Sequence, residues 1–487
     1  MLTVKPMLAV SSLQSGVRRA EPMVWLSAGA VVFALLVLIG LLSLLSVRGL
    51  MHFWPQSLLL LQSTESGPQA QLGVILDREG DSTQSSGRVL LHRGGEDFFD
   101  SPLVWIDESA VLQRSAPANA LVLERTTLGP IFGFLQSVRV QGQSQGLREL
   151  PLNTQLGLLR DAIAADSGSS PSSAAPIFQL RLASGRVVDV PMQDMKAAYA
   201  PNAMGVAEKI THFVGGIGRF LGESPRRSNV QGGVFPAILG TVILVLLMAV
   251  IVSPLGVLAA IYLQEYAQRG PVTRLVRIAV NNLAGVPSIV YGVFGLGFFV
   301  YAIGGSLDSL LFEDRLPAPT LGTPGMLWAA LTMALLTLPV VIVSTEEGLA
   351  RVPASLREGS LALGATRAET LWHVVLPAAS PAVLTGLILA VARATGEVAP
   401  LLLVGVAKYA PGLPVSGEYP YLHLDRQFMH LGFYVYDLGF QSTHLETVEG
   451  LVFATALLLV VIALLLNIAA VLLRSRLRNA FKPQEAI

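Results

Sequence analysis

An arginine and a glutamate one helical turn apart stand in an otherwise uncharged stretch, Leu387-Ile388-Leu389-Ala390-Val391-Ala392-Arg393-Ala394-Thr395-Gly396-Glu397-Val398-Ala399-Pro400. If a helix begins near Ala382, Arg393 lies about eleven residues in, ~16 Å deep, close to the middle of a ~30 Å hydrocarbon layer. Glu397 falls on the same face and can pair with it. An arginine at that depth costs roughly 2.5–3.5 kcal/mol even on the lenient insertion scale, so it must face a bundle interior or a water-filled path. Guanidinium is also the group best shaped for two parallel hydrogen bonds to an oxyanion. Two readings follow: a site on an anion path, or a buried ion pair that locks one helix to another.

The chain around this pair has the composition of a membrane protein. Of its 487 residues, 52% are hydrophobic and 14% charged, and the mean hydropathy is +0.59, which is too apolar for an ordinary soluble enzyme. A formal net charge of +0 argues against a nucleic-acid partner. The absence of cysteine excludes disulfides and thiolate chemistry. Six spans are expected, at 23–47, 234–262, 278–303, 326–344, 382–406 and 451–473. Arg269, Arg274 and Arg277 follow the second span, Arg351, Arg357 and Arg367 the fourth, and Arg474, Arg476, Arg478 and Lys482 the sixth, whereas the opposite loops hold only Arg315, Lys408 and Arg426. With Lys5, Arg18 and Arg19 before the first span, the positive-inside rule puts both termini in the cytoplasm.

The expected organisation is a cytoplasmic segment over 1–22, a first span over 23–47, an extracytoplasmic β-rich domain over 48–230, a five-helix core over 231–478 and a cytoplasmic tail over 479–487. The fold class is therefore an all-α polytopic membrane protein with a β-rich external domain inserted after its first span. Short apolar runs such as Leu72–Leu76 and Arg88–His92 read as strands. The alternation in 178–182 and 186–190 around Ala183-Ser184-Gly185 predicts a hairpin. Residues 164–176 read as a Ser/Ala/Gly/Pro-rich linker. Ile210, Phe213, Val214, Ile217, Phe220 and Leu221 share one helical face; that helix either closes the domain core, the reading preferred here, or lies on the membrane surface.

Before the charged span, residues 351–377 read as helix, glycine turn, helix and proline stop. Ser355 is placed to cap the first helix with Glu358, Gly364 to end it in the left-handed conformation, and Pro377 to separate the second helix from the next span. The spacing from Glu358 to Gly364, followed by Leu376-Pro377, resembles the coupling motif of ABC-transporter permeases, although Glu358-Gly359-Ser360 stands where the family usually has Glu-Ala-Ala. The tracts Gly256–Tyr266, Gly285–Gly292 and Leu387–Leu403 are similar to the phosphate permease subunits of ABC importers, the PstA type, over about residues 223–478.

The resemblance implies a membrane-spanning permease of the bacterial inner (plasma) membrane that imports inorganic phosphate. It implies Arg393 and Glu397 in the phosphate path, and Glu358, Gly359, Gly364, Leu376 and Pro377 as residues that couple to the ATPase. It implies a second, PstC-like permease, cytoplasmic ATPase subunits and an extracytoplasmic phosphate-binding protein as partners, besides membrane lipid. The large external insertion departs from the type. Neither cofactor nor metal is expected: no phosphate-binding Gly-rich loop with Lys-Ser/Thr occurs, so ATP hydrolysis belongs to a separate subunit, and the spacing of His423, His430 and His444 fits no standard metal site and reads as surface histidines. Ser288 reads as a helix-start or path residue, and Asn281 and Asn282 as interhelical hydrogen-bonding residues. A permease for another oxyanion, such as sulfate or molybdate, and a membrane-anchored sensor or enzyme working through its external domain are the alternatives.

Overall fold

The structure, a computed structural model, describes residues 11–63, 70–79, 87–140, 143–166, 176–226, 229–268, 270–410, 412–417, 419–442 and 445–480, without the side chains of 11–22, 165–166 and 477–480. Six described helices are long and apolar enough to cross a membrane. The first, α1 (Ser11–Met51), carries the apolar run from Met23 onward and is exposed along almost all of that run. It leans on one neighbour, the last helix of the chain, α14 (Leu445–Ala480). There Gly49 lies against the backbone of Phe453 and Ala454, and Arg48 pairs with Glu449 while its guanidinium sits 5.6 Å from the Phe453 ring. A helix solvated by lipid tails loses little by keeping such a face unpaired with protein.

After α1 the apolar period changes from helical to alternating, and two antiparallel sheets follow. Strands β1 (Leu59–Ser63), β2 (Ala70–Glu79), β3 (Arg88–His92), β4 (Leu103–Asp107) and β5 (Val111–Ser115) form the first sheet, in the order β4-β3-β2-β1-β5. The second takes β6 (Leu121–Arg125), β7 (Ile131–Val140), β8 (Gln143–Gly146), β9 (Ile177–Arg181), β10 (Val187–Pro191) and β11 (Met195–Tyr199), in the order β10-β9-β7-β6-β11 with β8 paired to β7. The expected runs Leu72–Leu76 and Arg88–His92 lie in β2 and β3. The expected hairpin is β9–β10, with Arg181 opposite Val187 and Gly185 in the turn at φ +83°. Phe178, Leu180, Val188 and Val190 point from it into a core closed by Leu159 of α2 (Leu152–Asp166). Of the expected linker, 167–175 lies outside the described residues. The domain begins and ends at one place: the Asn202 side chain accepts from the Leu58 N–H at 3.0 Å and donates to the Leu58 carbonyl at 2.8 Å.

The helix that follows, α3 (Val206–Gly222), buries only Phe220. Its apolar face therefore does not close the domain core, contrary to the preferred sequence reading. The chain then enters the membrane bundle as α4 (Phe235–Ile261), α5 (Pro271–Leu283), α6 (Ser288–Phe294) and α7 (Gly305–Leu311), α6 and α7 being joined into one span by a π-helical stretch over Gly295–Gly304. It continues as α8 (Met326–Ala350), α9 (Ala354–Ala362), α10 (Arg367–Thr370), α11 (Leu376–Gly396), α12 (Leu401–Val404), α13 (Leu431–Gln441) and α14. Helix α8 is the buried centre, packed between α4 and α11. Small residues permit the close approach: a Cβ on Gly348 would lie 2.4 Å from Ala382, and one on Gly386 would lie 2.1 Å from the Ser344 hydroxyl.

Several spans run a few residues past their expected bounds, and two differ more substantially. The third starts at Ser288, not Ile278, because the chain turns at 284–287 ahead of Pro287, where the Gly285 and Val286 N–H groups bond back to Asn282 and Leu283. Residues 271–283 form a separate amphipathic helix on which Asn281 and Asn282 are exposed, so they bond no helix of this chain. The fifth span runs over Arg367–Gly396 rather than 382–406. Pro377 does not interrupt it: a π-helical turn at Leu371–Val375 widens the backbone just before the proline, and the helix continues through it.

Candidate substrate path and coupling hairpin

Arg393 sits in the last turn of α11, held there by its neighbours. Ala390, Val391 and Ala394 are buried in the main membrane core with Met248 of α4, Ala334 and Leu336 of α8, and Tyr291 of α6. The contacts Ser344–Gly386 and Gly348–Ala382 fix an antiparallel register between α8 and α11. Extended at equal rise, that register puts Arg393 level with about residue 337, near the middle of α8. Arg393 is thus level with the middle of α8, although it lies in the last turn of its own helix.

Glu397 is the residue at which α11 stops, with extended backbone angles (φ −81°, ψ 128°). Its Oε1 stands 3.5 Å from Nε of Arg393, too long for a strong charged hydrogen bond, and Nε is buried with no hydrogen-bond partner. The Arg393 side chain keeps 35% of its surface exposed. A guanidinium with spare donors, at mid-span and with a loosely held counter-ion, is able to take up an anion. Beyond Glu397 the chain packs tightly, Pro400 lying against Gly292 so that a Cβ there would come within 2.8 Å.

At the other end of α8, the hairpin of α9 and α10 stands out from the bundle. Pro353, in extended conformation, starts α9, so Ser355 lies inside the helix and caps nothing, contrary to expectation. The capping box belongs to the second helix: the Thr366 hydroxyl accepts from the Glu369 N–H at 3.3 Å, and the Glu369 carboxylate accepts from the Thr366 N–H at 2.7 Å. Thr366-x-x-Glu369 was visible in the sequence as the same motif. Gly364 does take the left-handed turn, at φ +90°. Arg357 ties the hairpin to the bundle, donating to the Leu349 carbonyl at 2.7 Å and forming an ion pair with the Glu265 carboxylate at 2.8 Å. Glu358, Gly359 and Gly364 are exposed, Leu376 and Pro377 half-buried at the root. Leu363, 91% exposed, and Trp372, 57% exposed, add an apolar surface that spacing did not single out.

Two of the three histidines of the last loop, His423 and His430, are not surface groups as expected. His423 is buried and bonds Ser416 at 2.7 Å. His430 is fully buried, accepts from the Gly432 N–H at 3.1 Å, and is pushed by burial down to about 4. His444 lies outside the described residues. No group of three His, Asp or Glu among the described residues is arranged to hold a metal. The sequence also gave no sign of the network at buried Asp437, whose carboxylate accepts from Lys408 at 2.9 Å and from Asn229 at 3.0 Å.

Six apolar helices, a mid-span arginine and a protruding polar hairpin define a multi-pass membrane permease. Residues 252–479 match the family described as the binding-protein-dependent transport system inner membrane component. The phosphate transport system permease protein PstA 1 of Mycobacterium tuberculosis (strain CDC 1551 / Oshkosh) is 33% identical over 244 residues, 50% of this chain and 71% of that protein. The corresponding PstA of Yersinia pestis is 33% identical over 252 residues, 52% and 75% of the two chains. Among solved structures, an inward-facing MetNI methionine ABC transporter chain overlaps 50% of this chain and 94% of its own at 20% identity, with a TM-score of 0.36. The chain belongs to the PstA-type ABC transporter permeases. It is a multi-pass inner-membrane protein and a component of a multi-subunit transporter, and its β-rich domain lies outside the segment that matches the family.

Proposed function

We propose that this chain is the membrane-spanning subunit of an ATP-binding-cassette importer of inorganic phosphate, in which it supplies the gate and separate subunits supply recognition and energy. The observation that carries the reading is Arg393, half-exposed at mid-span with an unpartnered Nε and Glu397 only loosely beside it. An incoming phosphate replaces Glu397 as the partner of the guanidinium and is released when the carboxylate returns. The PstA relatives, named for phosphate transport, support this substrate over sulfate or molybdate.

In this reading an external binding protein delivers phosphate to a pathway shared with a second, PstC-like permease. ATPase subunits meet the hairpin at Glu358, Gly359, Gly364 and the exposed Leu363, and Leu376 and Pro377 carry its movement into α11. The hairpin side, rich in Arg351, Arg357 and Arg367, is cytoplasmic, as are both termini, and the β-rich domain is extracytoplasmic. The test is Arg393→Ala in the assembled transporter. Radiolabelled phosphate uptake is expected to fall to background while the subunits still co-purify; normal uptake refutes a path role for this residue. Excess sulfate or molybdate should leave wild-type uptake unchanged, and strong competition by either would refute the phosphate assignment.

A further inference from the structure

The helix α3 presents its residues in three directions. At 100° per residue, Val206, Ile210, Val214, Ile217 and Leu221 fall within roughly 80° of arc. Four of the five are exposed and Ile217 is half-exposed; Val206 is 72% exposed and Val214 60%. Beside this stripe, Phe213 and Phe220 turn to the end of the first span: the Trp54 and Phe213 rings are 6.1 Å apart, and those of Phe53 and Phe220 are 5.2 Å apart. On the far side lies the polar face, where the His212 ring packs at a tilt against Tyr199 of β11, centroids 4.3 Å apart, and so meets the β-rich domain.

The ends of α3 fix its height. Phe53 and Trp54 come just after Met51, the last residue of the first span, with only His52 between. The Phe220 carbonyl accepts from the Val234 N–H at 2.8 Å and the Glu223 carbonyl from the Phe235 N–H at 3.1 Å, so the helix terminus abuts the start of the second span. The polar face thus looks toward the domain, and the unpartnered apolar stripe looks away from it at the level where two spans leave the hydrocarbon.

We infer that α3 is an interfacial helix that lies in the bilayer surface on the side of the β-rich domain, with the stripe Val206, Ile210, Val214, Ile217 and Leu221 sunk among lipid headgroups and upper acyl chains. Phe220 of α3 packs with Val234 and Ala237 at the start of the second span and against Phe53 just past the first, both spans exposing apolar surface, and that adjacency selects lipid as the occupant. Trp54, at the same level, suits an aromatic interface anchor. An apolar face of this kind binds in proportion to the area it buries. The helix then acts as a float that sets the tilt of the domain over the mouth of the bundle. None of this depends on the transported substrate.

The chain has no cysteine, so single-cysteine variants report one position each. Ile210 lies on the stripe and Thr211, turned about 100° from it, lies off the stripe, and both are exposed. Spin labels on Ile210→Cys and Thr211→Cys in the full chain, reconstituted in phospholipid nanodiscs, are read by collision with oxygen, which concentrates in lipid, and with a water-soluble nickel chelate. The label at 210 is expected to favour oxygen several-fold over its neighbour, with the order reversed for nickel. Equal nickel access at both sites would put the stripe in water. Shielding of 210 from both reagents would mean that protein covers it. Either result overturns the inference.

Discussion

At the residue scale, the charged pair poses a question of competition. If Glu397 is the resident counter-ion that phosphate displaces, neutralising it removes a competitor for the guanidinium. Glu397→Gln is expected to lower the apparent KM for phosphate about fivefold, the equivalent of about 1 kcal/mol, and to slow the maximal rate as release loses its returning carboxylate. An unchanged or raised KM would refute that role. The presence and approximate depth of Arg393 were legible in the sequence, because a charge in an apolar run stands out against its background. The looseness of its ion pair was not, since it depends on α11 ending at Glu397, where the backbone turns extended. His430 shows the same limit. Its burial comes from residues distant in sequence, such as Thr241, whose hydroxyl accepts from the Leu431 N–H beside it at 2.9 Å. Folded, His430 stays neutral down to about pH 4; unfolded, it takes a proton near pH 6.5. The folded state binds fewer protons between those values, so its contribution is complete above about 6.5 and is lost as the pH falls toward 4. Thermal unfolding in nanodiscs should show a steeper loss between pH 7 and 5 for the wild type than for His430→Asn, which keeps an acceptor for Gly432. Parallel curves would exclude His430 as a source of that pH dependence.

At the level of the elements, local chemistry was read correctly where one residue decides and wrongly where two candidates compete. Gly364 had no rival for the left-handed turn. Ser355 and Thr366 each precede a glutamate by three, and only the backbone at Pro353 and Thr366 selects between them. Pro377 misled because a proline in isolation reads as a stop, whereas the π-helical turn before it lets the span continue. The result is an unbroken helix from Arg367 to Gly396, linking the hairpin to Arg393 without a joint. Rigid transmission along that helix requires α10 to stay formed. Thr366→Ala removes a cap worth about 1 kcal/mol. Amide exchange at Arg367–Thr370 is expected to quicken about fivefold, with exchange in α8 unchanged, and stimulation of the ATPase by phosphate should weaken with it. Unchanged exchange at those amides would show that packing of α10, and not its cap, holds the hairpin.

For the whole molecule, the sheet order could not be read locally: besides its sequence neighbour β2, β1 pairs with β5, and β6 pairs with β11, across stretches of chain that no sequence window joins. What could be read was that a water-facing, strand-rich region interrupts an otherwise apolar chain. The structure adds that the two chain ends of this region meet at one point, Leu58 beside Asn202, and that it has its own cores beneath its own sheets. The hairpin lies at the far end of α8 from it: Met326 at the start of α8 bonds the Arg426 carbonyl of the last loop, and Arg357 of the hairpin bonds Leu349 near the other end. Excision of 58–202 with a short Gly-Ser linker therefore removes a folded unit without cutting an element of the bundle. The shortened chain, which keeps α3, is expected to insert in the membrane and to co-purify with the ATPase subunits at wild-type yield. If docking is lost while insertion is retained, the domain is needed for the shape of the whole subunit, and the division between a coupling end and an external end fails.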